Sequence, residues 1–172
     1  MRVFTIGHGT RPLEELVETL REAAVATLID VRRFPGSRRH PHFNRDSLGA
    51  ALEAAGIVYV HEVDLGGRRT GEPGEERFGC IRTPAFRSYA ALMATPPWQE
   101  ALGRSLAAPA PCFMCAETLS WRCHRRLIAE LLTARGHDVV HLLGPGKRQP
   151  HRPSDDAEYR AGKLYLCGNV VA

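Results

Sequence analysis

Short apolar runs alternate along the chain with stretches whose apolar residues recur three or four apart. The run from Val3 to Ile6 closes on Gly7-His8-Gly9 and predicts a strand followed by a sharp turn. After Pro12, the residues Leu13, Leu16, Val17 and Leu20 fall at the helical period, so a helix opens at the proline. Residues 26–31 are apolar on both sides until Asp30, the pattern of a central parallel strand covered on two faces. Asp46 is placed to cap a helix running to Ala55, which Gly56 would stop. Residues 57–60 predict a third strand, 84–94 and 97–107 two helices, and 111–115 a fourth strand. A helix over 122–135 turns Leu127, Ile128, Leu131 and Leu132 inward and ends at Gly136, and 138–143 predict a fifth strand. From Gly144 the chain is polar and proline-rich until 163–167, which suit an added edge strand or a docking tail.

Strands alternating with helices predict an α/β fold. The expected form is a single three-layer domain with a mostly parallel sheet of about five strands and helices on both faces. Residues 1–143 form its core and 144–172 a C-terminal extension packed on that core. The polar stretch 61–82 is too long for an ordinary connection, so it is expected to be functional or mobile.

Composition narrows the class. Over 172 residues, 44% hydrophobic and 24% charged exclude a mostly disordered, collagen-like or coiled-coil chain. No window approaches the roughly 18 apolar residues of a membrane-spanning helix, so no membrane partner is expected. The opening MRVFTIGHGTRP lacks the apolar run and cleavage site of a signal peptide, which predicts a cytoplasmic protein. Net charge is +4, and Lys147 and Lys163 are the only lysines among 23 basic residues. The rest are arginines, whose planar donor fork suits phosphate and carboxylate. Between Arg32 and Arg45 there are five arginines, two histidines and no acid. A second group lies at Arg122, Arg125 and Arg126. Such clustering lowers the energy of a bound anion.

In a parallel sheet, ligands bind at the carboxyl ends of the strands. The residues expected there are His8, Asp30 with Arg32, Cys115 with Glu117, and Leu143–Gly144. The stretch from Cys115 to Arg126 runs from a strand end through a loop into a helix, whose N-terminus offers free N–H groups and partial positive charge. That helix end contributes roughly 0.3–1 kcal/mol, against about 1.4 kcal/mol per pKa unit. It cannot alone bring a thiol of about 8.5 below neutrality, so the arginines and His124 must supply the rest. The candidate catalytic residues are Cys115, His124 and Asp30, the anion-binding set is Arg32, Arg122, Arg125 and His8, and Glu117 and Cys123 support them. No cofactor is required. A zinc site using Cys115, Cys123 and His124 is the metal-binding alternative.

Five cysteines, an odd number without a signal segment, argue against a disulfide framework, and Cys80 and Cys167 are expected to be buried and unpaired. Cys112 and Cys115 have redox-motif spacing, but three residues along a strand puts them on opposite faces. His141 lies inside a strand and is expected to be a hydrogen-bonded core residue, and Gly66-Gly67 to form a tight turn.

These residues carry two resemblances. Thr5-Ile6-Gly7-His8, Asp30-Val31-Arg32 with Pro35 and Ser37, Leu65-Gly66-Gly67, and Cys115-Ala116-Glu117 followed by Cys123-His124-Arg125 resemble, in this order and over nearly the whole chain, the family catalogued as domain of unknown function 488. That resemblance implies no settled activity. Leu119-Ser120-Trp121 departs from it, since similar proteins often carry a proline before the Cys-His-Arg. Separately, Leu28-Ile29-Asp30-Val31-Arg32 and the segment from Cys115 to the strand 138–143 look like the two corresponding parts of rhodanese. There the strand-end cysteine carries a persulfide or, in related phosphatases, a phosphate. This resemblance implies Cys115 as nucleophile, Arg122 as loop arginine, and Asp30 and Arg32 as support. The loop from Cys115 to Arg122 is longer than the rhodanese cradle and has no glycine, and Glu117 puts a negative charge in it.

Three functions follow as expectations. One is a phosphoryl-transfer, sulfur-transfer or hydrolytic enzyme acting on a small anionic or nucleotide-like substrate. The second is a nucleic-acid binding or processing protein, using the loop from Arg32 to Arg45 with Phe34 and Phe43. The third is a metal-binding or ligand-sensing module.

Overall fold

A computed structural model describes residues 1–172. Five parallel strands come from the apolar runs: β1 (Arg2–Gly7), β2 (Thr27–Asp30), β3 (Val58–His61), β4 (Pro111–Cys115) and β5 (Asp138–Gly144). A sixth, β6 (Lys147–Pro150), pairs antiparallel with β5 at the edge, giving the order β3-β2-β4-β1-β5-β6. The helices are α1 (Leu13–Glu22), α2 (Arg45–Ala54), α3 (Pro84–Met93), α4 (Pro96–Ala107) and α5 (Arg125–Ala134).

Alternate strand residues face opposite ways, which creates two cores. Phe4, Ile6, Leu28, Cys112 and Met114 pack against Leu16 and Leu20 of α1 and Leu48 and Leu52 of α2. On the other face, Val3, Ile29, Phe113 and Cys115 meet residues such as Tyr89, Trp98 and Leu127 from α3, α4 and α5. The same parity separates Cys112 from Cys115, one in each core. The fold is the expected α/β arrangement with helices on both faces.

Several local expectations are corrected. The side chain of Asp46 does not cap α2; Asn44 occupies the cap position, and its Oδ1 accepts instead from Ser37 N at 2.6 Å. The helix expected from 122 begins at Arg125, because Ser120–Arg122 form a 3-10 turn and Cys123 is extended. The stretch 61–82 is anchored: 3-10 turns at Val63–Leu65 and Glu75–Phe78 bury Leu65 and Phe78 in the second core. Beyond β6, the chain forms a small antiparallel sheet of β7 (Ala157–Arg160), β8 (Lys163–Leu166) and β9 (Asn169–Val170). Leu164, Leu166 and Val171 bury it against the α5 side of the molecule.

Cys80 and Cys167 are joined in a disulfide across 87 positions, with Cα atoms 5.7 Å apart, which overturns their expected isolation. No local spacing connects them. Packing of the C-terminal sheet beside the 75–83 turn brings them together, and Asn169 Nδ2 donates to Arg77 O at the same junction.

Candidate functional site

Strand β4 leads to α5 on one face of the sheet, whereas its neighbours β1 and β2 lead to α1 and α2 on the other. The chain therefore parts above β4, the position where open α/β sheets form a crevice. Register sets Gly7 beside Cys115 and Asp30 beside Met114, so three strand ends meet there. A cleft of about 370 Å³ opens over them. Cys115, Cys123 and His124 line it, with Arg32, Arg33, Arg68 and Arg122 contributing four cations. Glu117 is its one acid, and Phe34 and Phe86 are its aromatic walls.

Arg125 is absent from that lining. Its side chain turns inward and is fully buried. Nε donates to Cys115 Sγ at 2.8 Å, Nη1 to Thr5 Oγ1 at 3.1 Å and Nη2 to Glu117 O at 2.6 Å. A guanidinium out of water needs its donors satisfied, and these partners supply that. The expectation that Arg125 grips an external anion is thus replaced by an internal one: its anion is the thiol pair.

The two sulfurs differ in their surroundings. Cys115 Sγ lies 3.6 Å from Glu117 O, the carbonyl that also accepts from Arg125 Nη2. Cys123 Sγ receives the backbone N–H of Arg125 at 3.4 Å, standing where a cap oxygen would at the start of α5. Burial pushes the Cys115 thiol well up. Burial acts on Cys123 in the same sense, but the hydrogen bond from Cys115 and the charge and N–H groups of Arg125 outweigh it and bring Cys123 down to about 7.

His124 Nε2 lies 3.1 Å from Val31 O. A carbonyl only accepts, so Nε2 carries the proton, and the Nδ1 lone pair is left facing Cys123 Sγ at 3.5 Å. Burial lowers the His124 pKa and keeps the ring neutral. The turn at Leu65-Gly66-Gly67 makes this seat possible: a Cβ on Gly67 would stand 2.5 Å from His124 Nδ1.

Asp30 does not face the cleft, contrary to a catalytic placement. Its Oδ1 accepts from Arg32 N and Nε at 3.0 and 2.8 Å, and its Oδ2 from Arg32 Nη2 and Tyr59 Oη, each at 2.6 Å. It holds Arg32 in place and offsets much of its charge. His8 braces the same guanidinium: Nε2 lies 3.3 Å from Arg32 Nη1, Nδ1 donates to Gly9 O, and the ring stacks on Phe43. Burial lowers the His8 pKa to about 4, so the ring is neutral. The glycines flanking His8 accommodate protein rather than ligand, since a Cβ on Gly7 would stand 1.9 Å from Glu117 O and one on Gly9 2.2 Å from Thr118 Oγ1.

Arg122 is exposed at the cleft mouth, and Glu117 Oε1 there accepts from Leu119 N. Phe34 is exposed in the arginine loop, but Phe43 is fully buried and cannot stack on a base. Arg33 joins the cleft from the arginine cluster that begins at Arg32, and Arg68 and Phe86 join it from distant segments with no local signal in the sequence. At the three residues of the metal-binding alternative, Arg125 Nε already occupies the Cys115 sulfur. No group of three or more His, Cys, Asp or Glu is arranged to hold an ion.

No curated protein and no solved structure matches the chain. The model of the family described as "Domain of unknown function DUF488" matches residues 12–132, the span that carries both cysteines, His124, Asp30 and the arginine loop. By that match the chain belongs to the DUF488 family.

Proposed function

We propose that the protein is a cysteine-dependent enzyme acting on a small anionic substrate, with Cys123 as nucleophile and His124 as its proton acceptor. The reading rests on one observation: Cys123 Sγ lies 3.5 Å from the free Nδ1 of a ring oriented by Val31 O, on the wall of an arginine-lined cleft. A nucleophile, a base and a group orienting the base form the arrangement that covalent catalysis requires. Arg122, Arg68 and Arg33 bind the anionic group, and Cys115 and Arg125 stabilise the thiolate. Attack forms a bond from Cys123 Sγ to the electrophilic phosphorus, sulfur or carbon as the bond from that atom to the leaving group breaks, its electron pair going to the leaving group. A proton on His124 Nδ1 passes to the leaving group, and water or an acceptor thiol then takes the transferred group. Transfer to water is hydrolysis; transfer of a sulfane sulfur is the variant to which the rhodanese resemblance leads.

Alkylation of each cysteine by iodoacetamide, followed across pH by mass spectrometry, tests the assignment. Cys123 should react with a midpoint near 7 and be protected by millimolar phosphate or sulfate. A Cys123 midpoint at or above the ordinary thiol value of about 8.5 removes the nucleophile.

A nucleic-acid reading has narrower support. Arg33 packs over the exposed ring of Phe34, and Arg38, Arg39 and Arg45 are exposed along the same loop. Its test is the salt dependence of oligonucleotide binding, which falls steeply if phosphates are contacted.

A further inference from the structure

We propose that a buried polar relay, running from Glu130 of α5 through His151 of the C-terminal extension and His141 of β5 to Thr5, positions Arg125 and so governs the acidity of the thiol pair. The proposal rests on the thiol reading above but concerns other residues. Three of the four, Thr5, His141 and His151, lie outside the span matched by the family model.

The direction of the relay follows link by link from donor chemistry. A guanidinium can only donate, so Thr5 Oγ1 accepts from Arg125 Nη1 at 3.1 Å. The Thr5 hydroxyl proton is then free to point at His141 Nδ1, 2.7 Å away. Thr5 Oγ1 keeps a second lone pair, so the carboxylate end sets the direction: with His151 Nε2–H turned toward Glu130, His151 Nδ1 accepts, and His141 carries its proton on Nε2, 3.0 Å away. His151 in turn carries its proton on Nε2, facing Glu130 Oε2 at 3.4 Å. That last contact is an attraction to charge rather than an in-line hydrogen bond. Glu130 also accepts from Ser154 N at 3.0 Å and from the hydroxyls of Ser154 and Tyr159. Those hydrogen bonds and His151 keep its carboxyl below the usual range despite burial.

Each ring thus has one allowed tautomer, and all the polarities run from the guanidinium to the carboxylate. Thr5, His141 and Glu130 are buried, where a reversed or missing link leaves an unpaired polar group. Burial also lowers the His141 pKa to about 4, so the ring stays neutral near pH 7 and Thr5 keeps its direction. The consequence falls on Arg125. With Nη1 held by Thr5 and Nη2 by Glu117 O, the planar fork aims Nε at Cys115. The titratable or charged groups around Cys115 and Cys123 are His124 and Arg125 from the start of α5 and Tyr89 from α3, with Arg69 beyond them. Thr5 is thus a positioning residue that touches no substrate.

Two measurements test this. Nitrogen-15 NMR of the wild-type protein at pH 7 should show His141 and His151 as Nε2–H tautomers. An Nδ1–H tautomer at His141 overturns the relay. Alkylation of Cys123 across pH should show the Thr5→Val midpoint raised by roughly half a unit or more, about twofold less thiolate at pH 7. Thr5→Ser, which restores the hydroxyl, should return it to the wild-type value. Glu130→Gln, which removes the charge facing His151 and leaves one accepting oxygen in place of two, should shift it in the same sense as Thr5→Val. A folded Thr5→Val or Glu130→Gln protein with the wild-type midpoint overturns the inference. An ordinary Cys123 titration in the wild type instead overturns the thiol reading, and the tautomers are still read independently.

Discussion

The Nε of Arg125 lies 2.8 Å from Cys115 Sγ, and no solvent-facing anion competes for it. This buried cation lowers both thiols of the cleft, and the backbone N–H that Arg125 gives to Cys123 Sγ alone sets the two apart. Arg125→Lys should therefore raise the Cys123 midpoint above 7 while keeping the formal charge. Lysine supplies a point charge without the fork, and Thr5 Oγ1 or Glu117 O loses its donor. Each unpaired buried acceptor costs about 1–3 kcal/mol, so the denaturation midpoint should fall as well. Alkylation across pH and a urea titration read the two effects separately.

Gly67→Ala tests the seat of His124. The added Cβ would stand 2.5 Å from Nδ1, so the ring or the turn must move. The expected outcome is a loss of about 1–3 kcal/mol together with slower alkylation of Cys123. Unchanged reactivity would show that the turn yields instead of the imidazole.

Acid should weaken the fold before the carboxylates titrate. His8 and His141 have folded values of about 4, below the ordinary 6.5. Between those values the unfolded chain binds more protons than the native one, so stability is complete above 6.5 and is lost as pH falls toward 4. At about 1.4 kcal/mol per unit, each histidine contributes of order 3 kcal/mol to that loss. Glu130, held below its usual range, adds to it in the same direction at lower pH. Thermal melts from pH 7 to 4 should show a falling midpoint. His141→Gln should flatten the slope over that window, because glutamine has no proton to take up.

The bridge between Cys80 and Cys167 closes a loop of 87 positions. Reduction should lower stability by roughly 2–4 kcal/mol, and Cys80→Ser should match the reduced protein. Melts with and without dithiothreitol decide it. Identical curves would mean that the bridge does not stabilise the fold in solution.

The apolar runs 26–31 and 111–115 and the helical stripe of Leu127, Ile128, Leu131 and Leu132 made the sheet and its crossovers legible, because periodicity is a local property of the chain. Strand polarity then indicated which ends should carry the site, and Cys115, Cys123, His124, Arg32, Arg122 and Glu117 do line one cleft. Other assignments depended on direction and distance. Asp30 at a strand end reads alike whether it faces a ligand or holds Arg32; the bidentate contact and Tyr59 decide for Arg32. Arg68 and Phe86 arrive from separate segments, so no motif could group them.

By itself, the sequence determined the element order, the two-faced burial of the strands and the gathering of thiols and arginines at one end of the sheet. Tertiary packing alone set the inward turn of Arg125, the hold of Asp30 on Arg32, and the meeting of Cys80 with Cys167. The reason is range. Hydrophobic periodicity acts between neighbours in the chain, whereas the donor that reaches a given sulfur is set by cross-strand register and by loops packing from far away in sequence.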